Sequence, residues 1–568
     1  MNGQPSNPNV TSGLAEKNWT AGGWPATVSI LALCCVTVTG SATAAGTANA
    51  QDAQPPALSQ TQPPAPLSDL ATYITQSLPD WNIPGLAVAV VHQGQVVFAQ
   101  GFGGKQVGRN DPIDAHTLFQ IGSVTKSFGA AAIGALVDEG LAAWDDPVVT
   151  HLPWFRVKDP WITRQITLRD LLSHQSGMPG AAYPVLAVVD ARETAEGLRL
   201  LDNQGPLRQD YRYSNQAYGV AGLVVEAAAG TSWDAWVREQ LLAPLDMPNT
   251  GTSPYDVWDS AYVAPTFLGS APTGVPGVDD APGRNVAMPH GVDRDGNRRV
   301  LSWQSYDNMR AAGSVVSNVV DMANWLRMQL DHGRFNGVAV LDSATVSEMH
   351  APLVRTPSSF VFADPGTGSY GLGWARASFL GHTYISHGGG IFGFPAYAAM
   401  LPELQAGVVV LANGSMWTPY YPHQEIAAWV FGRLLGAERR DWHGEVMART
   451  EAIHAQVEAA LNARASGRID GTRPSLPLAG YAGRYLGEYG AATAHVIHGD
   501  DGSLRVHFGV PGSFSGDMEH WHHDVFQLHY DGGDGQAYGS SFVTFTIGPD
   551  GGVAQMDMGF MGRYRRVR

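Results

Sequence analysis

Strand-like segments occur in two widely separated parts of this 568-residue chain. Residues 85–103, GLAVAVVHQGQVVFAQGFG, form two apolar runs around a Gln-Gly turn and predict a β-hairpin. Residues 141–365 are mixed and mostly helical in pattern. Strand patterns then return in three segments, 382–390, 395–401 and 407–413. One sheet built from both ends of this region explains the return, so we expect a sheet flanked by helices, with a helical region inserted.

Apolar periodicity predicts helices beside these strands. Residues 123–139 predict a buried helix, and 237–247 and 319–330 are amphipathic pieces joined by long Gly/Pro-rich loops. An apolar helix is predicted at 424–436. Residues 445–464 are polar, with apolar residues spaced by four, which is typical of a connecting helix.

The sequence beyond Pro474 changes to short alternating strands such as SLRVHFG, VFQLHY and FVTFTIG, separated by Asp-Gly turns. This spacing favours a small all-β domain, either a sandwich or a barrel. The fold class is therefore α/β (α+β), with a barrel-like domain at the end. The predicted parts are a signal peptide (1–50), a Pro/Gln-rich linker (51–67), a sheet-and-helix domain (68–436), a helical connector (437–474) and the β domain (475–568).

The N-terminal region predicts export. Residues 26–45 are apolar and small, and residues 48–50 offer an A-x-A cleavage pattern before Gln51. We expect a cleaved signal peptide and a periplasmic or secreted protein. Only one basic residue, Lys17, precedes the apolar stretch, so an uncleaved membrane anchor is the alternative. Both interpretations place the folded part in the same compartment.

Composition argues against several classes of partner and cofactor. The net charge is −16 and the basic residues are scattered, so we expect no nucleic-acid partner. The only cysteines, Cys34 and Cys35, lie inside the predicted signal, which leaves no thiolate ligand or disulfide. The histidine-rich HWHHD segment, 520–524, lacks ligand-like spacing to other groups. We expect no metal and no cofactor, and a small-molecule or peptide substrate. No oligomeric state is indicated.

The segment IGSVTKSF, 121–128, places Ser123 three residues before Lys126 at the start of a predicted helix. Positions i and i+3 share a helix face, so the amine can reach the hydroxyl. A serine needs a neighbouring base to become a nucleophile at neutral pH. Ser-x-x-Lys alone is a weak signal because both residue types are common near helix starts.

A second candidate group is Tyr213-Ser214-Asn215. A tyrosine near a lysine ammonium has its phenolate favoured, so it can serve as base toward the serine and as acid toward the leaving group. Asn215 can hold a substrate carbonyl or the lysine. Another Tyr-x-Asn begins at Tyr306, and order and spacing decide between the two.

A third candidate group ends a predicted strand at His387-Gly388-Gly389-Gly390. Glycines let a substrate lie against the strand and allow a backbone N–H to join that of Ser123 in binding an oxyanion. An ordinary glycine turn with an unrelated histidine is the alternative for this segment taken alone.

Together, Ser123-x-x-Lys126, Tyr213-x-Asn215 and His387-Gly388-Gly389 resemble the serine β-lactamase and penicillin-binding-protein superfamily, in its class C-like branch. Phrases such as ITLRDLLSHQSGMPG, YGLGW and PELQAGVVVLANG match too, over about residues 68–436. The last segment, 475–568, resembles the lipocalin-like domain that follows many of these hydrolases.

The resemblance implies a β-lactamase/transpeptidase-like fold and a role for each group. Ser123 would be the acylated nucleophile, Lys126 and Tyr213 the proton-handling pair, and Asn215 a positioning residue. The backbone N–H groups of Ser123 and Gly390 would form the oxyanion hole.

One residue departs from the pattern, because β-lactamases and transpeptidases of the superfamily usually have lysine where this chain has His387. Histidine is mostly neutral at pH 7, which removes a charge that recognises a substrate carboxylate. We therefore expect an exported serine hydrolase that cleaves an ester or an amide/peptide bond. A β-lactamase or D-alanyl-D-alanine carboxypeptidase is the enzyme alternative, and a penicillin-binding or sensor module is the non-enzyme alternative.

Overall fold

The computed structural model describes most of the chain from residue 63 to residue 567. The predicted signal, 1–50, and most of the predicted linker lie outside the described residues. Described are 63–179, 190–264, 284–292, 297–358, 360–414, 422–437, 439–487, 493–508, 515–530, 540–559 and 562–567.

One antiparallel eight-stranded sheet forms the centre of the first domain. Its strands are β1 (Gly85–His92), β2 (Gln95–Gly103), β3 (Val354–Arg355), β4 (Ser369–Tyr370), β5 (Ala375–Phe379), β6 (His382–Ile391), β7 (Phe394–Leu401) and β8 (Ala406–Ala412). Their order is β3-β4-β5-β6-β7-β8-β1-β2. Because β8 pairs with β1, the two parts of the chain meet inside one sheet, with β2 at its edge. The predicted sheet built from both ends is confirmed.

The central strands are covered on both faces, which explains their continuous apolar sequences. Every residue of β7 and β8 is buried. Helix α10 (Val319–Leu330) packs against β8 and β1, and α12 (Pro422–Leu434) packs against β8 and β7. Strands covered on both faces need apolar side chains at successive positions, so they lose the alternation of a half-exposed sheet.

The region between the two groups of strands is mainly helical, as predicted. The helices of the first domain outside α10 and α12 are α1 (Leu70–Ser77), α2 (Thr125–Asp138), α3 (Val148–His151), α4 (Pro160–Gln165), α5 (Leu168–Leu172), α6 (Ala191–Gly197), α7 (Asn215–Ala229), α8 (Trp233–Val237), α9 (Arg310–Gly313) and α11 (Ser343–Met349). Short strand pairs connect them, at Phe119–Gln120 with Val316–Ser317, Val263–Ala264 with Trp303–Gln304, His290–Val292 with Arg298–Val300, and Arg334–Phe335 with Val338–Ala339. Among the described residues no helix is long and apolar enough to cross a membrane.

Helix α2 is almost completely buried and fixes the position of the residues just before it. A 3₁₀ turn, Gly122–Val124, leads directly into α2. The ring of Phe128 on α2 stacks on Trp325 of α10, with centroids 4.0 Å apart. Aromatic burial of this kind contributes strongly to core stability, so the first turn of α2 starts from a firmly packed element.

The C-terminal domain is a closed eight-stranded antiparallel barrel. Its strands are β9 (Gly483–Gly487), β10 (Thr493–His498), β11 (Leu504–Phe508), β12 (Ser515–His522), β13 (Val525–Tyr530), β14 (Ser540–Ile547), β15 (Val553–Asp557) and β16 (Arg563–Val567). Tyr481 and Tyr485 pack with Phe526 and Phe545 inside it. Of the two architectures expected from the sequence, the structure has the barrel. Closure removes the exposed edges that an open sheet would leave.

Chain segments on either side of the sheet are anchored to it. Ala65–Leu67, at the end of the predicted linker, forms a 3₁₀ turn, and Leu67 packs in the same cluster as Leu70 and Ile74. Helix α13 (Trp442–Ser466) lies within the predicted connector.

A buried carboxylate, Glu425 of α12, joins three of these elements. It accepts hydrogen bonds from the Tyr73 hydroxyl of α1 at 2.6 Å and from the Trp81 indole N–H at 2.8 Å. His443 in the first turn of α13 bonds Glu425 through Nδ1 at 3.0 Å and Asp80 through Nε2 at 3.2 Å. These carboxylates favour the imidazolium, so the pKa of His443 rises from 6.5 to about 9, with the hydrogen bond to Glu425 as the main cause.

We expect the His443 contact to stabilise the protein in a pH-dependent way. Since the folded state favours protonated His443, the contribution is complete below pH 6.5 and is lost as the pH rises through about 9. His443→Gln should lower the free energy of unfolding by about 1 kcal/mol at pH 6, because His443 is partly exposed, and by less at pH 9.5. Urea unfolding at the two pH values measures the difference.

His382→Gln is the control, because His382 pairs with Glu403 at an exposed position of β6. It should change stability little at either pH. An equal loss at pH 6 and pH 9.5 in His443→Gln would contradict the charge-based account.

Candidate active site

Ser123 lies in the 3₁₀ turn that precedes α2, and the residue before it requires glycine. Gly122 has a positive φ of 51°. A Cβ atom there would lie 2.6 Å from the backbone nitrogen of Gly390. The turn that carries Ser123 and the strand end that carries Gly390 are therefore in backbone contact, which brings the two predicted oxyanion donors to one place.

Lys126 lies one helical turn after Ser123 with its side chain fully buried. Its Nζ donates to Ser123 Oγ at 3.1 Å and to the backbone carbonyl of Ala312 at 2.8 Å. The carbonyl holds the amine in place beside the hydroxyl. The i, i+3 geometry expected from the sequence is thus present, and the amine is within proton-transfer distance of the serine.

The segment that ends at α7 brings Tyr213 and Asn215 to the same point. Ser214 is the N-cap of α7, and its side chain accepts from the Ala217 N–H at 3.2 Å. The cap fixes the backbone on both sides of it. Lys126 Nζ lies 4.8 Å from the centre of the Tyr213 ring. Asn215 is buried at the first position of α7 and lines the cleft beside Ser123.

The glycines of β6 lie against the turn that carries Ser123. A Cβ atom on Gly389 would lie 2.0 Å from the carbonyl oxygen of Ile121 and 3.1 Å from the Val124 nitrogen. No side chain fits there. At Gly388, in contrast, a Cβ atom would have the Tyr397 ring as its nearest neighbour, at 3.7 Å. The close approach at Gly389 is what allows the turn to dock on the strand.

His387 is buried on the same strand and is held as a neutral ring. Its Nδ1 lies 2.6 Å from the Gly388 carbonyl, which can only accept, so Nδ1 carries the proton. Its Nε2 then accepts from the Tyr370 hydroxyl at 2.9 Å. Burial lowers the pKa of His387 to about 3, and the nearby charge of Lys126 acts in the same direction. The neutral histidine expected from the sequence agrees with this environment.

A small cleft opens at Ser123. Its walls include Ser123, Asn215, Tyr306, Ala312, Gly313 and Gly390. Lys126 and His387 lie buried next to it. All eight predicted site residues therefore belong to one neighbourhood formed by α2, α7 and β6. The arrangement brings a hydroxyl and an amine within hydrogen-bond distance, with the Tyr213 ring beside the amine and the Ser123 turn in backbone contact with Gly390. Acyl transfer uses groups of these kinds.

Three side chains at the site were not singled out from the sequence. Tyr306 lines the cleft, although the sequence offered it only as a competing Tyr-x-Asn. Tyr370 bonds His387 and lies in the YGLGW phrase. His174 lies in LLSHQSG and packs its ring 4.3 Å from that of Tyr213. For Tyr370 and His174, membership of these phrases was the available signal, but nothing in the phrases indicates which side chain faces the site.

The described residues contain no group of three or more histidine, cysteine or acidic side chains placed to hold a metal. The HWHHD segment, which runs from β12 into the turn before β13, is among these described residues.

Comparison with known families agrees with the resemblance that the site residues show. The family model described as Beta-lactamase matches residues 70–432, more than half of the chain. The chain belongs to the beta-lactamase family. A second model, described as Domain of unknown function (DUF3471), matches residues 467–566, the region of the barrel.

Relatives within the family include hydrolases and penicillin-binding proteins. The chain is 28% identical over 470 residues to "Unguisins hydrolase ungD" of Aspergillus violaceofuscus, covering 77% of this chain and 78% of that protein. It is 27% identical over 364 residues to "Penicillin-binding protein 4" of Amycolatopsis lactamdurans, covering 62% of this chain and 86% of that protein. The octameric penicillin-binding protein homologue from Pyrococcus abyssi superposes with a TM-score of 0.55 at 22% identity, covering 88% of this chain and 99% of that structure. This last match supports the fold.

The contact between β6 and the Ser123 turn predicts different effects for two neighbouring glycines. Gly389→Ala places a methyl group 2.0 Å from the Ile121 carbonyl, so the turn must move away from the strand. Displacing a nucleophile by about 1 Å costs about 100-fold in rate. We expect this loss in kcat/KM, with a matching loss in the rate at which a fluorophosphonate probe labels the protein.

Gly388→Ala is the matched comparison, because its methyl group would make an ordinary contact with Tyr397. We expect a much smaller loss of labelling rate. Equal losses in the two variants, with both proteins folded by circular dichroism, would contradict the role given to the close approach.

Proposed function

We propose that the chain is an exported serine hydrolase that cleaves an ester or an amide/peptide bond through an acyl-enzyme on Ser123. The observation that carries the proposal is the 3.1 Å contact between Lys126 Nζ and Ser123 Oγ, in a neighbourhood that also holds Tyr213 and Asn215. Export is proposed from the apolar segment 26–45 and the A-x-A pattern after it.

In the first half of the proposed reaction, Ser123 Oγ attacks the carbonyl carbon of the substrate and its proton passes to the Lys126–Tyr213 pair. The negative charge that develops on the carbonyl oxygen is stabilised by the backbone N–H groups of Ser123 and Gly390. The bond to the leaving group then breaks, and the pair returns the proton to the leaving alcohol or amine. An ester between Ser123 and the acyl group remains.

In the second half, water attacks the acyl-enzyme and the same pair takes its proton. The ester bond breaks, Ser123 recovers its proton, and the acid product leaves. Asn215 lines the cleft wall, and its role in this proposal is to hold a substrate carbonyl or Lys126. The fixed position of Lys126 on the Ala312 carbonyl supports repeated use of one proton-handling pair.

The neutral state of His387 is an argument for a substrate that has no carboxylate next to β6. The neutral ring uses its two nitrogens to bond Gly388 and Tyr370 and offers no fixed positive charge along β6. A charge-assisted hydrogen bond to a carboxylate is stronger than a neutral one. A substrate whose recognition depends on a carboxylate therefore gains less here than it would from a lysine.

The relatives' names support hydrolysis in general rather than one substrate. One is named for the hydrolysis of unguisins and another for the binding of penicillin. The β-lactamase, the D-alanyl-D-alanine carboxypeptidase and the non-catalytic penicillin-binding module are therefore the outcomes against which the proposal is tested.

The test compares turnover of p-nitrophenyl esters, amino-acid amides, D- and L-peptides and nitrocefin. We expect kcat/KM for an ester or an amide to exceed that for nitrocefin by at least about 10-fold, the size of one lost charge-assisted hydrogen bond. Ser123→Ala should abolish turnover of every substrate while the protein stays folded. His387→Lys should narrow the gap between nitrocefin and the esters.

His382→Lys is the control for added charge, because it places a lysine at the partly exposed start of the same strand. It should leave the substrate order unchanged. Efficient nitrocefin hydrolysis with poor ester and amide turnover would support a β-lactamase instead. Covalent labelling of Ser123 without turnover of any substrate would support a penicillin-binding or sensor module.

A further inference from the structure

A fully buried histidine, His174, contacts the chain on both sides of Tyr213. The N–H of Arg212 donates to the backbone carbonyl of His174 at 2.8 Å. The N–H of Ser214 donates to the ring Nδ1 of His174 at 3.0 Å. The ring itself packs on Tyr213, with centroids 4.3 Å apart and planes tilted by 36°. Three contacts from one residue therefore fix the residue before Tyr213, the residue after it and its ring.

The hydrogen bond to Ser214 determines the protonation of the ring. A backbone N–H can only donate, so Nδ1 must be unprotonated and Nε2 carries the hydrogen. Within the described part of the chain, Nε2 has no hydrogen-bond partner. A protonated ring would place a hydrogen on Nδ1 facing the Ser214 N–H and break the contact. The contacts with Arg212, Tyr213 and Ser214 form a clamp on residues 212–214, and the Ser214 hydrogen bond of this clamp forms only with a neutral histidine.

The surroundings keep the ring neutral. The rings of Tyr211, Tyr218 and Tyr370 also pack around it, at centroid distances of 5.6, 5.2 and 4.9 Å. Burial is the main cause that lowers the pKa of His174 well below its usual value, and the charge of Lys126 acts in the same direction. The backbone of His174 is held at a positive φ of 61°, which is uncommon for a residue other than glycine.

We propose that His174 is a positioning residue for Tyr213, holding its ring beside Lys126 by accepting the Ser214 N–H and packing on the Tyr213 ring. This inference rests on the proposed function, in which Tyr213 belongs to the proton-handling pair. His174 touches neither Ser123 nor the substrate in this account and acts through Tyr213 alone.

The first test separates the acceptor from the ring. His174→Phe keeps an aromatic ring but leaves the buried Ser214 N–H without its acceptor. His174→Asn loses the ring but places a side-chain oxygen close to the position of Nδ1. With a p-nitrophenyl ester, we expect His174→Phe to lower kcat by about 10- to 100-fold with KM little changed, as for a misplaced catalytic group. His174→Asn should recover most of that loss.

A double-mutant cycle with Tyr213→Phe shows whether His174 acts through the tyrosine. If it does, His174→Phe should cause little further loss in a protein that already lacks the phenol. If the two single losses in kcat multiply in the double variant, the proposal is overturned. A wild-type kcat in His174→Phe would also overturn it, and so would a kcat in His174→Asn as low as that of His174→Phe. Full activity of Tyr213→Phe alone would instead overturn the proton-handling role in the proposed function.

His290→Phe is the matched control, because His290 is also buried and its Nε2 also accepts a backbone N–H, that of Val107 at 3.0 Å. Its Nδ1 bonds the backbone carbonyl of Asn413, far from Tyr213 along the chain. We expect a lower melting temperature but kcat within about twofold of the wild type, since these two bonds hold segments other than the one that carries Tyr213.

A measurement on the unmodified protein keeps the proposal testable if His174→Phe does not fold. Nitrogen NMR of histidine-labelled protein, with the His174 signal assigned from His174→Asn, should show an unprotonated Nδ1 and a protonated Nε2 from about pH 5.5 to about pH 9. A proton on Nδ1 or a titration in this range would overturn the clamp.

Discussion

The backbone contact between the Ser123 turn and β6 is the constraint on which the rest of the site depends. At Gly122 and Gly389 the two segments approach so closely that a Cβ atom would collide with backbone on the other side. Strand β6 is held in the sheet by β5 and β7, and the turn is held by the buried helix α2. The position of the nucleophile is thus defined by two rigid elements, which is the arrangement that precise placement of a reacting group requires.

Two histidines near that contact, His174 and His387, are uncharged. Burial lowers the pKa of both His174 and His387, and Lys126 acts on each of them in the same direction. The two histidines use this neutrality differently. His387 donates from Nδ1 and accepts at Nε2, whereas His174 accepts at Nδ1. Both tautomers follow from the backbone groups they meet. In the proposed mechanism, the positive charge near Ser123 therefore lies on the Lys126 ammonium rather than on either imidazole, which favours the Tyr213 phenolate as the group that takes the serine proton.

Local patterns in the sequence predicted much of the fold. The hairpin at 85–103, the helix at 319–330 and the return of strands after 382 agree with the structure because each depends on nearby residues. The pairing of β8 with β1 followed from the return of the strand pattern, and closure of the barrel was one of two expected architectures. The order of the motifs along the chain and their resemblance to the family predicted that Ser123, Tyr213 and His387 belong to one site. The contributions of Tyr306, Tyr370 and His174 could not be predicted, because they arise from long-range packing that no local period records. The burial of Leu67 could not be predicted either, because it depends on packing near helix α12, far along the chain.

Covalent acylation of Ser123 is tested by mass spectrometry of the protein mixed with a slowly hydrolysed p-nitrophenyl ester. The account predicts a transient mass increase equal to one acyl group, located by peptide mapping on Ser123 and absent in Ser123→Ala. The increase should disappear as the free acid accumulates, in step with turnover. Turnover of the same ester with no adduct, or an adduct on another residue that survives in Ser123→Ala, would contradict the account.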